Sequence, residues 1–168
     1  MNRAFTLIEL LIVVAIISIL AAIALPNFLQ AQIRAKVSRA QSDMRTIASA
    51  LEMYYVDNNA YPISLMGPGL RALTGPVEYI SSIPIDVFST GSRYRYGGSP
   101  PANPHRWILT SRGPNQSNDT GTLHLYPGIN SRFINDPEGT FPLIIYDPTN
   151  GIISRGDIIR AYDYSGGV

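Results

Sequence analysis

The chain has 168 residues, with 13 basic against 12 acidic side chains and no cysteine. A single domain with an appendage is the expected organisation, and disulfide frameworks, thiol chemistry and Cys-based zinc sites are excluded. A net charge of +1 lacks the basic excess of a nucleic-acid binder, and two histidines, His105 and His124, argue against a His-rich metal centre.

Between Ala4 and Ile33 the only charged residue is Glu9. The run from Phe5 to Leu25 is apolar apart from Thr6, Glu9 and Ser18. As a helix it spans roughly 32 Å, against a hydrocarbon core of about 30 Å. Residues 1–60 contain one proline, Pro26, and no glycine, whereas residues 61–168 contain all 14 glycines. A long helical piece therefore precedes a turn-rich piece.

The helix is predicted to continue past Pro26. Apolar residues recur at Leu29, Ile33, Val37, Ala40, Met44, Ile47, Leu51 and Tyr54, in alternating steps that draw one stripe along a helix. Arg34, Arg39, Gln41, Asp43, Arg45 and Glu52 lie on the opposite face. Asp57, Asn58 and Asn59, followed by Tyr61 and Pro62, mark its end. If Pro26 only kinks it, the helix runs from Phe5 to about Asn58, roughly 80 Å. Such a rod must project from a domain of this size, here by its apolar end. The stripe itself calls for core packing under a layer supplied by residues 61–168.

Those residues predict short strands at 93–96, 107–111, 122–126, 143–146 and 157–162, and a helical turn at 70–73. Pro148-Thr149-Asn150-Gly151 is a tight-turn signal linking the last two strand regions. An antiparallel sheet on the C-terminal half of the long helix would bury both apolar faces, an α+β arrangement. Gly97 and Gly98 sit in no strand–helix context, so phosphate binding is not supported. Arg155-Gly156-Asp157 imitates an integrin-binding tripeptide and is read as a turn.

The N-terminal segment admits four readings from its residues. It is a cleaved secretory signal ending near Ala22-Ile23-Ala24, a plain membrane anchor, a buried core helix, or a span in which Glu9 has a function. A carboxylate within a membrane costs about 2.5–3.5 kcal/mol near the bilayer centre. No Lys or Arg shares its helix face within two turns. A cation for Glu9 must come from another chain or from a newly exposed amine.

The segment Arg3-Ala4-Phe5-Thr6-Leu7-Ile8-Glu9-Leu10-Leu11-Ile12-Val13-Val14 resembles the N-terminus of type IV prepilins and type II secretion pseudopilins. The resemblance implies cleavage of the Ala4–Phe5 bond by a prepilin peptidase and N-methylation of Phe5. It makes Glu9 the fifth residue of the mature protein and matches Pro26 to the family's helix-breaking proline. Ala4 stands where the family usually has Gly. Glu9 then pairs with the Phe5 amine of a neighbouring subunit, an assembly role that sets the axial register, and a head-to-tail contact that does not close generates a filament. The membrane orientation comes from the family alone, because Arg34, Lys36 and Arg39 lie beyond the span.

Further along, the run from Ala50 to Pro62 looks like the major pseudopilin pattern of a helix ending in Tyr, Asp-Asn and Tyr-Pro. Ile83-Pro84-Ile85-Asp86-Val87-Phe88 is similar to that family's Leu-Pro-x-Asp-Pro-Trp segment, with Val87 replacing Pro. The resemblance divides the chain into a leader (1–4), a transmembrane and polymerisation helix (5–26), an amphipathic second half (27–60) and a periplasmic β-rich domain (61–168). It implies a structural subunit of a pseudopilus, anchored in the inner membrane by one span, with no enzymatic activity and no nucleic-acid partner. Implied partners are copies of itself, minor pseudopilins, the prepilin peptidase and the inner-membrane assembly platform. The alternative is a type IV pilin of an extracellular fibre. No cofactor is expected except calcium, which the family's major pseudopilin often binds in the loop here spanning 113–121. Asp119 and Asn115 are its candidate ligands, few for an ion that takes six to eight oxygens. Asp147, Asn150 and Asp157 are a second oxygen-rich set, more simply read as capping acids of a hairpin.

Overall fold

The computed structural model describes residues 5–63, 69–98, 106–119, 145–151 and 154–163. It divides into two compact units, Met1–Ala35 and Lys36–Val168. One helix, α1 (Leu7–Asn58), contributes to both, and a three-stranded antiparallel sheet of β1 (Arg95–Gly98), β2 (Arg106–Ser111) and β3 (Ile158–Asp163) belongs to the second. The architecture is α+β.

In the first unit, α1 continues through Pro26. Proline has no N–H to give to the preceding turn and its ring crowds the carbonyls there. The carbonyl this deprives of its usual donor is that of Ala22, and one residue further on Asn27 Nδ2 donates to the Ile23 carbonyl at 3.1 Å. Ser18 hides its hydroxyl in the same way, donating to the Val14 carbonyl at 2.8 Å. A polar side chain that bonds its own helix costs little in an apolar setting.

In the second unit, the expected stripe is buried at Ala40, Met44, Ile47 and Leu51, and Ala48 and Ala50 widen it. Leu29, the stripe's first position, is exposed. The covering side chains, among them Leu73, Phe88, Tyr94, Trp107 and Leu109, pack with positions from Val37 onward. The helix stops at Asn58. Asn59 takes φ 52°, and its N–H donates to the Tyr55 carbonyl at 2.7 Å. Asn tolerates this left-handed cap better than most residues.

Three of the five expected strands form the sheet, displaced by no more than two residues, and of the region 143–146 the described part holds only an isolated bridge at Ile145. The first strand is β1, two residues later than 93–96, and it takes in Gly97 and Gly98. Tertiary contact outweighs the low strand preference of glycine. Gly98 pairs with Trp107, and a Cβ there would lie 2.6 Å from the Pro62 carbonyl oxygen and 2.7 Å from the Tyr96 hydroxyl. Tyr96 donates to that same carbonyl at 2.8 Å. Arg93 instead forms an isolated bridge with Ile85. β2 is central, with Trp107 and Leu109 buried on one face and Ile108 and Thr110 on the other. The expected helical turn is a 3-10 turn at Gly69–Leu73.

The turn at 148–151 needs correction. It is a 3-10 turn, Pro148–Asn150, and the positive φ falls on Gly151. Its flanks do not form a hairpin, because Ile145 bridges Asp157 in the parallel sense. The chain loops back before Asp157, so the two stretches run in the same direction. The strand expected at 122–126 lies outside the described residues.

Leu51 is fully buried at the centre of this core. Leu51→Ala should destabilise the second unit by about 2–5 kcal/mol, read as a lower denaturant midpoint for the detergent-solubilised protein.

Candidate functional site

The N-terminal locus is built on the first turn of α1. Thr6 precedes the helix, and its hydroxyl accepts the Glu9 N–H at 3.3 Å. Glu9 Oε2 in turn accepts the Thr6 N–H at 2.9 Å and the Thr6 hydroxyl at 2.6 Å. This reciprocal pair is a capping box, which satisfies donors that a helix start leaves unpaired. Glu9 therefore has neutral partners within its own chain. Both side-chain bonds fall on Oε2. The sequence reading missed Thr6, although Thr-x-x-Glu ahead of an apolar run is the signature of this motif. The helix dipole adds to the arrangement by placing a carboxylate at its positive end. Phe5 is exposed beside it, and Ala4 lies outside the described residues.

Pro26 stands about five turns further along the same unit. The large apolar side chains from Phe5 to Leu29 are between 46% and 82% exposed. Among the described residues α1 is the one helix long and apolar enough to cross a membrane.

The second locus is the loop after β2. Asp119, with a side chain 5% exposed, is surrounded by donors. Its Oδ2 accepts from Asn115 Nδ2 at 2.5 Å and from the Gly156 N–H at 2.7 Å. Its Oδ1 lies 3.6 Å from Arg155 Nε. Asn115 presents its NH2 to the carboxylate because its Oδ1 accepts the Ser117 N–H at 3.2 Å. Asp157 is 1% exposed and accepts the Asp119 N–H at 3.2 Å. The Arg95 guanidinium donates to Asn118 Oδ1. Among the described residues no three His, Cys, Asp or Glu side chains converge. Asp119 and Asn115 are thus brought together, but as acceptor and donor and not as two oxygen ligands. Asp147 and Asp157 serve different turns, since Asp147 Oδ1 accepts the Thr149 N–H at 2.8 Å and the Thr149 hydroxyl at 2.7 Å. These bonds hold the Asp147 carboxyl below its usual range.

Comparison with known proteins sorts these loci. Residues 1–25 match the prokaryotic N-terminal methylation motif, and residues 27–123 match the family described as type II secretion system (T2SS), protein G. The chain belongs to the type II secretion system protein G family. Type II secretion system core protein G of Pseudomonas aeruginosa is 39% identical over 104 residues, covering 55% of this chain and 70% of that protein. Its counterpart in Dickeya chrysanthemi is 31% identical over 129 residues, covering 71% of this chain and 82% of that protein. The type IV major pilin protein PilA of Myxococcus xanthus is 50% identical over 60 residues, covering 36% of this chain and 27% of the pilin. No solved structure matches the chain.

In this member of the family the second half of α1 also carries acids that the helix pattern placed on the face opposite the stripe. Asp43 accepts the Tyr94 hydroxyl at 3.0 Å. Glu52 accepts the Tyr61 hydroxyl at 2.9 Å and the Trp107 indole N–H at 3.1 Å. These aromatic bodies lie in the core and only their polar tips reach the helix flank, as is usual for Tyr and Trp. Burial, and after it the Glu52 carboxylate, push the Tyr61 phenol up, and burial with Asp43 does the same at Tyr94. Both rings stay neutral donors at physiological pH.

Two outcomes follow from this geometry. Thr6→Val should weaken the cap by about 1 kcal/mol, so the Glu9 amide should exchange about fivefold faster in detergent micelles. Asp119 supplies a pH test. Burial works to raise its carboxyl, but the bonds from Asn115 and Gly156 and the charge of Arg155 outweigh burial and hold it below its usual range. A depressed folded-state value stabilises above the unfolded value, about 3.9, and that contribution is lost as pH falls through the folded value. Asp119→Asn should therefore melt lower at neutral pH and lose less on acidification, in melting curves taken from neutral pH down to strong acid.

Proposed function

We propose that the chain is a structural, non-enzymatic subunit of the type II secretion pseudopilus. It is cleaved between Ala4 and Phe5, methylated on Phe5, and polymerised through its N-terminal helix. The observation that carries this reading is an apolar helical surface from Phe5 to Leu29 without protein cover, next to a methylation motif over residues 1–25. Each large apolar side chain gains about 1.5–3 kcal/mol on leaving water. A bilayer supplies that cover to the single subunit, and the helices of neighbouring copies supply it in a filament. In this reading the globular part faces the periplasm and the span lies in the inner membrane. The partners are further copies, minor pseudopilins, the peptidase and the assembly platform.

Glu9 links processing to assembly. Cleavage gives Phe5 an ammonium group, the cation that no side chain of the same helix face supplies. Pairing it with the Glu9 carboxylate of a neighbour in a medium of low dielectric removes much of the cost of that charge. The Thr6 bonds fall on Oε2, which leaves Oε1 for the neighbour's amine. Pro26 allows the helix to bend there.

A type IV pilin reading draws on the match to the pilin of Myxococcus xanthus, which covers 27% of that protein. The match to protein G over residues 27–123 reaches well into the globular part and favours the pseudopilus.

The deciding measurement is the intact mass and N-terminal peptide of the membrane-extracted protein. An N-methylated Phe5 start is expected, whereas a start near Leu25 would mean ordinary secretion and end the filament reading. Ala4→Arg should retain the leader. Glu9→Val should insert and be cleaved but yield no sheared filaments; normal filament yield would remove the register role.

A further inference from the structure

We propose that Arg155 and the Gly156 N–H do at Asp119 what the family resemblance assigns to calcium, so that the loop after β2 is closed by the chain's own donors. The inference goes beyond the filament reading and concerns the loop alone. A calcium site needs oxygens converging on one point, usually with several carboxylates. Among the described residues the groups converging on Asp119 are an amide NH2, a main-chain N–H and a guanidinium. A cation added there would have to displace Arg155 and turn Asn115 away from both the carboxylate and Ser117. The carboxylate's Oδ2 already accepts two hydrogen bonds, its Oδ1 faces Arg155, and the side chain is nearly out of solvent.

The donors come from a segment that the family match does not include. That match ends at residue 123, while Arg155, Gly156 and Asp157 follow much later. Their tripeptide works as one clip. Arg155 approaches the Asp119 side chain, Gly156 donates to it, and the buried Asp157 accepts the Asp119 N–H. The main chain fits closely around it. Gly156 has φ 128°, and a Cβ there would collide with the Ile145 carbonyl group and the Tyr146 nitrogen. A Cβ on Gly113 would collide with the Gly156 carbonyl oxygen. The Tyr146 N–H donates to the Asp157 carbonyl at 3.0 Å, which closes the third side. Three stretches far apart in sequence are thus held by main-chain contacts and by the solvent-facing Arg155 guanidinium beside Asp119.

The test uses the full-length chain in detergent, with calcium chloride as the probe. Wild-type melting should be the same in millimolar calcium and in chelator, and isothermal titration should give no heat of calcium binding. Arg155→Gln should lower Tm by about 2–4 °C, and Arg155→Lys should restore most of the loss by keeping the charge. A calcium-dependent rise in wild-type Tm, or an Arg155→Gln protein as stable as wild type, would overturn the proposal. If Arg155→Gln does not fold, the wild-type calcium titration alone decides.

Discussion

An apolar helical surface that its own chain leaves uncovered is the constraint on which the N-terminal unit depends. From Phe5 to Leu29 no large apolar side chain is shielded to the degree of a core residue. Outside water such a segment tolerates polar groups only if they are satisfied close by. Each one is. Ser18 bonds back to Val14, Asn27 bonds back to Ile23 beside the proline, and Thr6 and Glu9 bond each other. The polar side chains of this stretch are thereby bonded within the helix while its surface needs an apolar partner. A membrane and a bundle of like helices both meet that need, which suits a subunit that passes from one to the other.

The second unit solves the opposite problem. From Lys36 onward α1 has a sheet to pack against, and its stripe disappears into a core shared with β1, β2 and β3. The layer that covers the helix also reaches round to its flank. Tyr94, Tyr61 and Trp107 fill the core with their rings and meet Asp43 and Glu52 with their polar tips. A neutral hydroxyl or indole bonded to a carboxylate makes a stronger link than a neutral pair. Asp86 does comparable work elsewhere. It is buried and accepts the Ser111 hydroxyl at 2.7 Å, the Phe88 N–H at 3.0 Å and the Arg112 N–H at 3.2 Å. One acid thus ties the 83–88 segment to the end of β2, where the loop carrying Asp119 begins.

The segment from Ile145 to Asp163 adds to a family fold whose match ends at residue 123. It supplies an edge strand to the sheet and a clip to the loop. Two acids that look like metal ligands in a linear reading, Asp119 and Asp157, turn out to hold main-chain N–H groups and a guanidinium. Acidic residues in a loop do not identify a cation site until the donors around them are known, because a carboxylate binds an N–H as readily as an ion.

Much of this protein was legible in its sequence because the deciding interactions are local. The apolar run, the stripe from Val37 to Leu51, the stop at Asn58 and Asn59 and the lone Glu9 each depend on neighbours within a turn or two of helix. The capping box at Thr6 was legible too, at a spacing of three. Tertiary structure alone decided the rest. The two-residue shift of β1 onto Gly97 and Gly98 is set by its pairing with β2, and Gly98 leaves room there for the Pro62 carbonyl. The parallel bridge of Ile145 to Asp157 replaces a hairpin because the loop turns back before pairing. The choice of Arg155 as the cation for Asp119 joins residues separated by the whole 120–154 stretch. Such contacts depend on which backbones approach within a hydrogen bond of each other, and neither periodicity nor composition records that distance.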